Sequence, residues 1–136
     1  MRAVVVEAPG AIEALVIQNV PDPEPAPGQV LIEISYAGCN WADTQVRSGI
    51  YPHPVDFPVI PGFEISGTVI GLGEGVTSVK PGDRVTAIPS MGGYAQKCVV
   101  DEALVTKIPD EVGLDVAAAF PIQALTAYHM LYTVCN

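Results

Sequence analysis

The stretch PVIPGFEISG, residues 58 to 67, places Glu64 beside Phe63, between Gly62 and Gly67 and behind Pro58 and Pro61. A carboxylate so placed has three uses: ligating a metal, working as a general acid or base, or holding a turn through neighbouring backbone amides. The other groups with chemical potential are sparse. His53 sits in a proline-flanked loop and His129 in a helical pattern, neither with an obvious Ser or Cys partner nearby, so both are expected to be structural. Cys39, Cys98 and Cys135 are odd in number and show neither CxxC spacing nor a close histidine. A disulfide framework or a zinc knuckle is therefore not expected, and a reducing, cytoplasmic compartment is.

One motif imitates a cofactor site. In VIGLGEGV the glycines Gly71, Gly73 and Gly75 follow a strand pattern, but Val76 stands where a dinucleotide fingerprint has its third glycine. The following TSVKPGDRV runs through Pro81 and Gly82 into another strand instead of a helix, so the expected structure is a hairpin turn.

The elements that must position these groups follow from composition and pattern. A chain of 136 residues, 49% hydrophobic and 15% charged, suffices for one domain with its own core. Thirteen glycines and thirteen prolines, scattered along it, mark many turns between short elements and favour a β-rich fold. The formal net charge is −9, and Arg2, Arg47, Lys80, Arg84, Lys97 and Lys107 form no stripe, which argues against nucleic acid as a partner. Glu7 interrupts the first apolar run, so no export signal is expected. Residues 116–136 carry no formal charge and approach membrane-spanning length, yet Pro121, Gln123, Thr126, His129 and Thr133 load them with polar groups. They are expected to form soluble helix covered by something outside these residues.

RAVVVE and ALVIQNV predict two short strands, followed by the Pro-rich loop PDPEPAPGQ. VLIEISYAG alternates Val30, Ile32 and Ile34 with Leu31, Glu33 and Ser35, a two-faced strand. CNWADTQVRS predicts a helix with Asn40 available as its cap, and FEISGTVIG, DRVTAIP and GGYAQKCVVD predict three more strands. The alanine-rich LDVAAAF predicts a helix, and Pro121 the first turn of another, PIQALTAYHMLYT.

Taken in order, GCNWADTQVRSGIYP, FPVIPGFEISGTVIGLGEGVTSVKPGDRV, GGYAQKCVV and AAAFPIQALTAYHML resemble the N-terminal, GroES-like (alcohol dehydrogenase-like) catalytic domain of the medium-chain dehydrogenase/reductase superfamily. The resemblance covers essentially the whole chain and is nearest to the zinc-free quinone oxidoreductase, or zeta-crystallin-like, branch. It implies a mainly β fold, a GroES-like partly open β-barrel with short helices and a C-terminal helical segment. In zinc-dependent members the turn reads Gly-His-Glu; here Phe63 stands in the place of that histidine, Asn40 in the place of the earlier ligand, and Cys39 one place too early. The resemblance thus implies no metal, and Glu64 is expected to complete the turn or to pair with a cation such as Arg84.

For function, the resemblance implies hydride transfer from NADPH to a quinone or enone, in a cleft between this domain and a Rossmann domain. Asn40 and Tyr51 are then the catalytic candidates, with Asn40, Asp43 and Thr126 facing the cofactor. Against these stand plainer uses: Asn40 capping a helix, Asp43 and Thr44 completing its first turn, Tyr51 packing on Trp41, and Thr126 buried against the preceding helix turn. GGYAQ is expected to make a tight turn with Tyr94 as core packing. Because family members continue after TAYHML into the cofactor domain, residues 1–136 are expected to be an excised catalytic domain, inactive alone and without tight NADPH binding. The partners expected are the missing Rossmann domain and a small quinone or enone, in a complete enzyme that is a homodimer. The alternatives are a stand-alone binding module whose C-terminal helix docks a partner protein, and a reductase module cut from a multidomain synthase.

Overall fold

The computed structural model describes residues 1–135. Arg2–Val5 (β1) and Val16–Asn19 (β2) pair antiparallel as a two-stranded sheet, with a 3-10 turn at Ile12–Ala14 between them. A second, five-stranded sheet contains Gln29–Ala37 (β3), Ile65–Leu72 (β4), Arg84–Ala87 (β5), Lys97–Asp101 (β6) and Val105–Lys107 (β7), in the order β6-β3-β4-β5-β7. Every recorded pairing in it is antiparallel. Among the described residues there are three α-helices, Trp41–Ser48 (α1), Leu114–Ala119 (α2) and Pro121–His129 (α3), the last running into a π-helical turn at Met130–Val134. The architecture is the expected one, mainly β with sheets that do not close into a full barrel.

The alternation in β3 does what a half-buried strand requires. Val30 and Ile32 are fully buried in a core shared with Ile65, Val69, Val85 and Val100 from the neighbouring strands. The β3–β4 ladder slips twice: Ile70 is the extra residue on β4 between Leu31 and Ile32, and Ser35 is the extra residue on β3 between Ile34 and Tyr36. The two slips cancel, so Ala37 pairs with Ile65 in the register that the pair Val30–Leu72 began. Immediately beyond, the Gly38 amide donates to the Glu64 carbonyl at 3.0 Å.

A smaller second core forms where α1, through Val46, meets Val6 and Val59, with Tyr51, Phe57, Phe63 and Met91 packed against it. The helix α2 lies on the sheet through Ala117 and Ala118, whose small side chains allow a close approach. Two hydroxyls fasten it: Ser66 donates to the Leu114 carbonyl and Thr86 to that of Ala117.

The strand expected over residues 92–101 begins only at Lys97, because the residues before it bond elsewhere. The amides of Gly93 and Tyr94 donate to the carbonyls of Gly62 and Pro61, at 3.1 and 2.9 Å. The expected strand from Ala14 likewise starts at Val16, its first residue being held in the 3-10 turn. The glycine-rich turn after β4 leads to an antiparallel neighbour and not to a helix, as its spacing predicts. It also presses on the Pro-rich loop: a Cβ on Gly73 would lie 1.8 Å from the Ala26 carbonyl oxygen.

Candidate functional site

The turn that carries Glu64 crosses the segment Gly92–Tyr94, and only glycine fits at the crossing. Gly62 has φ +104°, and a Cβ there would lie 2.7 Å from the Gly93 Cα; one on Gly93 would lie 3.0 Å from the Gly62 carbonyl. The glycines of GGYAQ therefore serve an approach of two backbones as well as a turn.

Asp43 locks that crossing to α1. It stands at the third position of the helix, and its Oδ2 accepts the Asn40 amide at 2.8 Å, the reach-back half of a capping box. Its Oδ1 accepts the Gly62 amide at 3.0 Å, and Tyr94 donates its hydroxyl to Oδ2 at 2.7 Å. At 6% exposure, with three donors converging on it, Asp43 lies beneath the surface as a tie between three segments. Tyr94 is only half-buried, and its hydroxyl has a specific partner that a reading of plain core packing missed. Burial, then its contacts with Cys39 and Asp43, hold its phenol well above the usual range.

Glu64 does not pair with Arg84. The arginine instead donates to the carbonyls of Pro109, Asp110 and Val112, pinning the loop before α2. Glu64 is 1% exposed, and its two carboxylate oxygens accept from different directions: Oε1 from the Asn40 side-chain amide and Oε2 from the Ile122 backbone amide, both at 2.9 Å. The second bond answers a local deficiency. The residue capping α3 is Phe120, which has no side-chain acceptor, and Pro121 has no amide to offer, so Ile122 is the first donor of the helix. A carboxylate supplied from 58 positions earlier takes it, at the end of the helix where negative charge is favoured. Space for that carboxylate depends on Gly38, where a Cβ would lie 2.4 Å from Oε1.

The Asn40 carbonyl oxygen in turn accepts from the side-chain amide of Gln123, the next residue of α3 after Ile122. Gln123 and Thr126, three residues apart on the same face, are both exposed. Asn40, Glu64, Gln123 and the Thr126 face thus form one junction between the turn and α3. Thr126 is not buried against the preceding turn. Tyr51 is half-buried in the second core, its ring 5.5 Å from that of Phe63 and edge-on to His53 at 5.7 Å. Trp41, a partner the sequence suggested for it, is 77% exposed. Tyr51 reaches the junction only through Phe63, the chain neighbour of Glu64, and lines a separate concavity of about 260 Å³ with Val46, Pro52 and Phe57. Gln123 was missed as a site residue because its role depends on where α3 docks; the uncapped Phe120-Pro121 helix start was the one local signal that an acceptor had to come from elsewhere.

The surface beside the junction is apolar and open. Val116, Phe120, Leu125, Tyr128, Leu131, Tyr132 and Val134 all stand exposed along the C-terminal helices, with Tyr128 and Tyr132 ring to ring at 4.8 Å. Among the described residues no helix is long and apolar enough to cross a membrane, and no group of three or more His, Cys, Asp or Glu is arranged to hold a metal ion.

Residues 26–110 match the alcohol dehydrogenase GroES-like domain. Over all 136 residues the chain is 39% identical to the human synaptic vesicle membrane protein VAT-1 homolog-like, of which it covers 32%. On the solved structure of that human protein it superposes with a TM-score of 0.97, covering 100% of this chain and 44% of the other. It is 38% identical over 124 residues to a probable quinone oxidoreductase of Schizosaccharomyces pombe, covering 90% of this chain and 36% of that protein. The structure of Escherichia coli quinone oxidoreductase complexed with NADPH matches with a TM-score of 0.94 at 29% identity, covering 98% of this chain and 41% of that one. The chain thus spans about a third of the length of the curated relatives it matches.

Proposed function

The chain belongs to the alcohol dehydrogenase GroES-like domain family of the medium-chain dehydrogenase/reductase superfamily, and we propose that residues 1–136 form the catalytic domain of a zinc-independent, NADPH-dependent oxidoreductase that reduces a quinone or enone. A Rossmann cofactor domain elsewhere in the same polypeptide would complete it. The observation that carries this reading is the open apolar face of α2 and α3 lying directly against the Asn40–Glu64–Gln123 junction. A surface with that much exposed Phe, Leu and Tyr calls for cover. A cofactor domain seated there would bring its bound cofactor to the polar groups of the junction.

NADPH, when bound, supplies the hydride. Asn40 and the Thr126 hydroxyl fit a carboxamide, since each adds hydrogen-bonding groups at the edge of the apolar face. Tyr51, which lines the neighbouring concavity beyond Phe63, offers its phenol to an oxygen on which negative charge develops in a substrate that extends from the junction into that concavity. Asp43 acts from beneath by fixing the start of α1. The glycine-rich turn offers no cradle for a pyrophosphate: it precedes a strand, and its close approach at Gly73 is taken up by the Ala26 carbonyl. Residues 1–136 alone are accordingly inactive in this reading and bind NADPH weakly. Three free cysteines accord with a cytoplasmic enzyme.

The test compares a polypeptide extended to the length of its relatives with residues 1–136. The extended protein is expected to oxidise NADPH with a small para-quinone, and Asn40→Ala to lower kcat/KM by about 10²-fold. Residues 1–136 are expected to give a fluorescence titration with NADPH that does not saturate. Tight binding by the short chain would overturn the reading. The same apolar face also supports a second one, a stand-alone module that docks a partner protein through α3. An intact mass of 14.2 kDa from the native source would favour it.

A further inference from the structure

We propose that Glu64 is a positioning residue that fixes which way the Asn40 amide faces and ties that choice to the start of α3. The inference rests on the reading of Asn40 as a group that meets cofactor or substrate. A carboxylate accepts and an asparagine amide has two unlike ends, so Asn40 must turn its NH₂ toward Glu64 Oε1 and its carbonyl oxygen toward Gln123. The other carboxylate oxygen holds the Ile122 amide, so the same side chain sets the seat of the helix that carries Gln123 and Thr126. Glu64 is 1% exposed, and its carboxylate fills the space that a Cβ on Gly38 would take.

The consequence is a directional chain of amides. In Glu64→Gln the new side chain keeps its oxygen on the Ile122 amide and presents NH₂ to Asn40. Asn40 must then reverse to offer its oxygen, and its NH₂ meets the Gln123 NH₂ unless Gln123 reverses as well. The cap on α3 survives while the polar face of Asn40 is inverted.

The experiment uses the full-length polypeptide carrying these residues, with two readouts. In the first, NMR follows the Asn40 side-chain amide and hydrogen exchange at Ile122. Glu64→Gln is expected to move the Asn40 signals while Ile122 stays protected, and unchanged Asn40 signals would overturn the proposal. In the second, kcat/KM with NADPH and a quinone is expected to fall on the order of tenfold in Glu64→Gln. In an Asn40→Ala background the same change is expected to have no further effect, and an equal fall there would show that Glu64 does not act through Asn40. Should Glu64→Gln fail to fold, Gln123→Glu at its exposed position replaces it. A carboxylate facing the Asn40 oxygen is expected to move the same signals, and their constancy would count against the proposal. A wild-type protein that shows no NADPH-dependent turnover would sink the reductase reading, while the NMR readout would still decide the role of Glu64.

Discussion

The inner face of the five-stranded sheet and the outer face of the C-terminal helices are built from similar residues, and their fates are opposite. Val30, Ile32, Ile65, Val69 and Val85 are sealed from water, whereas Phe120, Leu125, Leu131 and Val134 stand more than half exposed. Hydropathy alone does not separate them. What separates them is that the inner strand faces pack on one another in a single core, while the C-terminal helices bury Ala117, Ala118 and Pro121 and leave their outer face exposed among the described residues. Large apolar residues left exposed together point to an interface, and the junction at Glu64 lies on the border between the two regions.

The sharpest test of this contrast is a pair of truncations. Ile32→Ala in the sheet is expected to cost about 2–5 kcal/mol, and Leu131→Ala on the helical face to stay within about 0.5 kcal/mol, both read by urea denaturation of residues 1–136. Equal losses would mean that the helical face is covered in this chain. At the border, Gly62→Ala is expected to cost about 1–3 kcal/mol, since the new Cβ meets the Gly93 backbone in a left-handed conformation. A melting temperature unchanged by that substitution would show that the crossing is loose.

The smallest effect concerns pH. Burial raises the Cys98 thiol from 9.0 to about 11, and burial followed by contacts with Cys39 and Asp43 raises the Tyr94 phenol above 10.0. Both groups lose their protons in the unfolded chain before they do in the folded one. Their contribution to stability is therefore complete below about pH 9 and is lost as the pH rises beyond it. Tyr94→Phe is expected to flatten the alkaline fall in stability, measured by denaturation between pH 8 and pH 11 (roughly the window these groups span). An identical slope in the variant would remove Tyr94 from the account.

Much of this was legible in the order of residues. The alternation in β3, the helix over Trp41–Ser48 behind Asn40, and the glycine-rich turn that leads to a strand all follow from local pattern. So did the family, from motifs spread along the whole chain. The three-residue β7 is too short to carry a period and was not foreseen. Nor was the partner of Glu64 legible: an acid in a glycine-bracketed turn has many candidate donors, and only the docking of α3 selects Ile122 and Asn40. The same limit hid Gln123 and the hydroxyl partner of Tyr94, because each contact joins segments at least 50 positions apart. Position within an element is written locally, whereas the meeting of elements is not.

The paired slips in β3 and β4 bear on how this domain can change in length. Ser35 and Ile70 are each one residue too many, on opposite strands, and the surplus on one offsets the surplus on the other before the ladder reaches Ala37 and Ile65. Removing either residue alone would leave the pairs on both sides of its slip intact and only straighten the strand there, whereas deleting a paired residue would push its strand one position out of step and turn the side chains beyond it to the opposite face. Single-residue changes of length are therefore absorbed at Ser35 and Ile70, and a lineage that instead loses a paired residue of these strands loses the alignment of its site while every side chain in that site is still present.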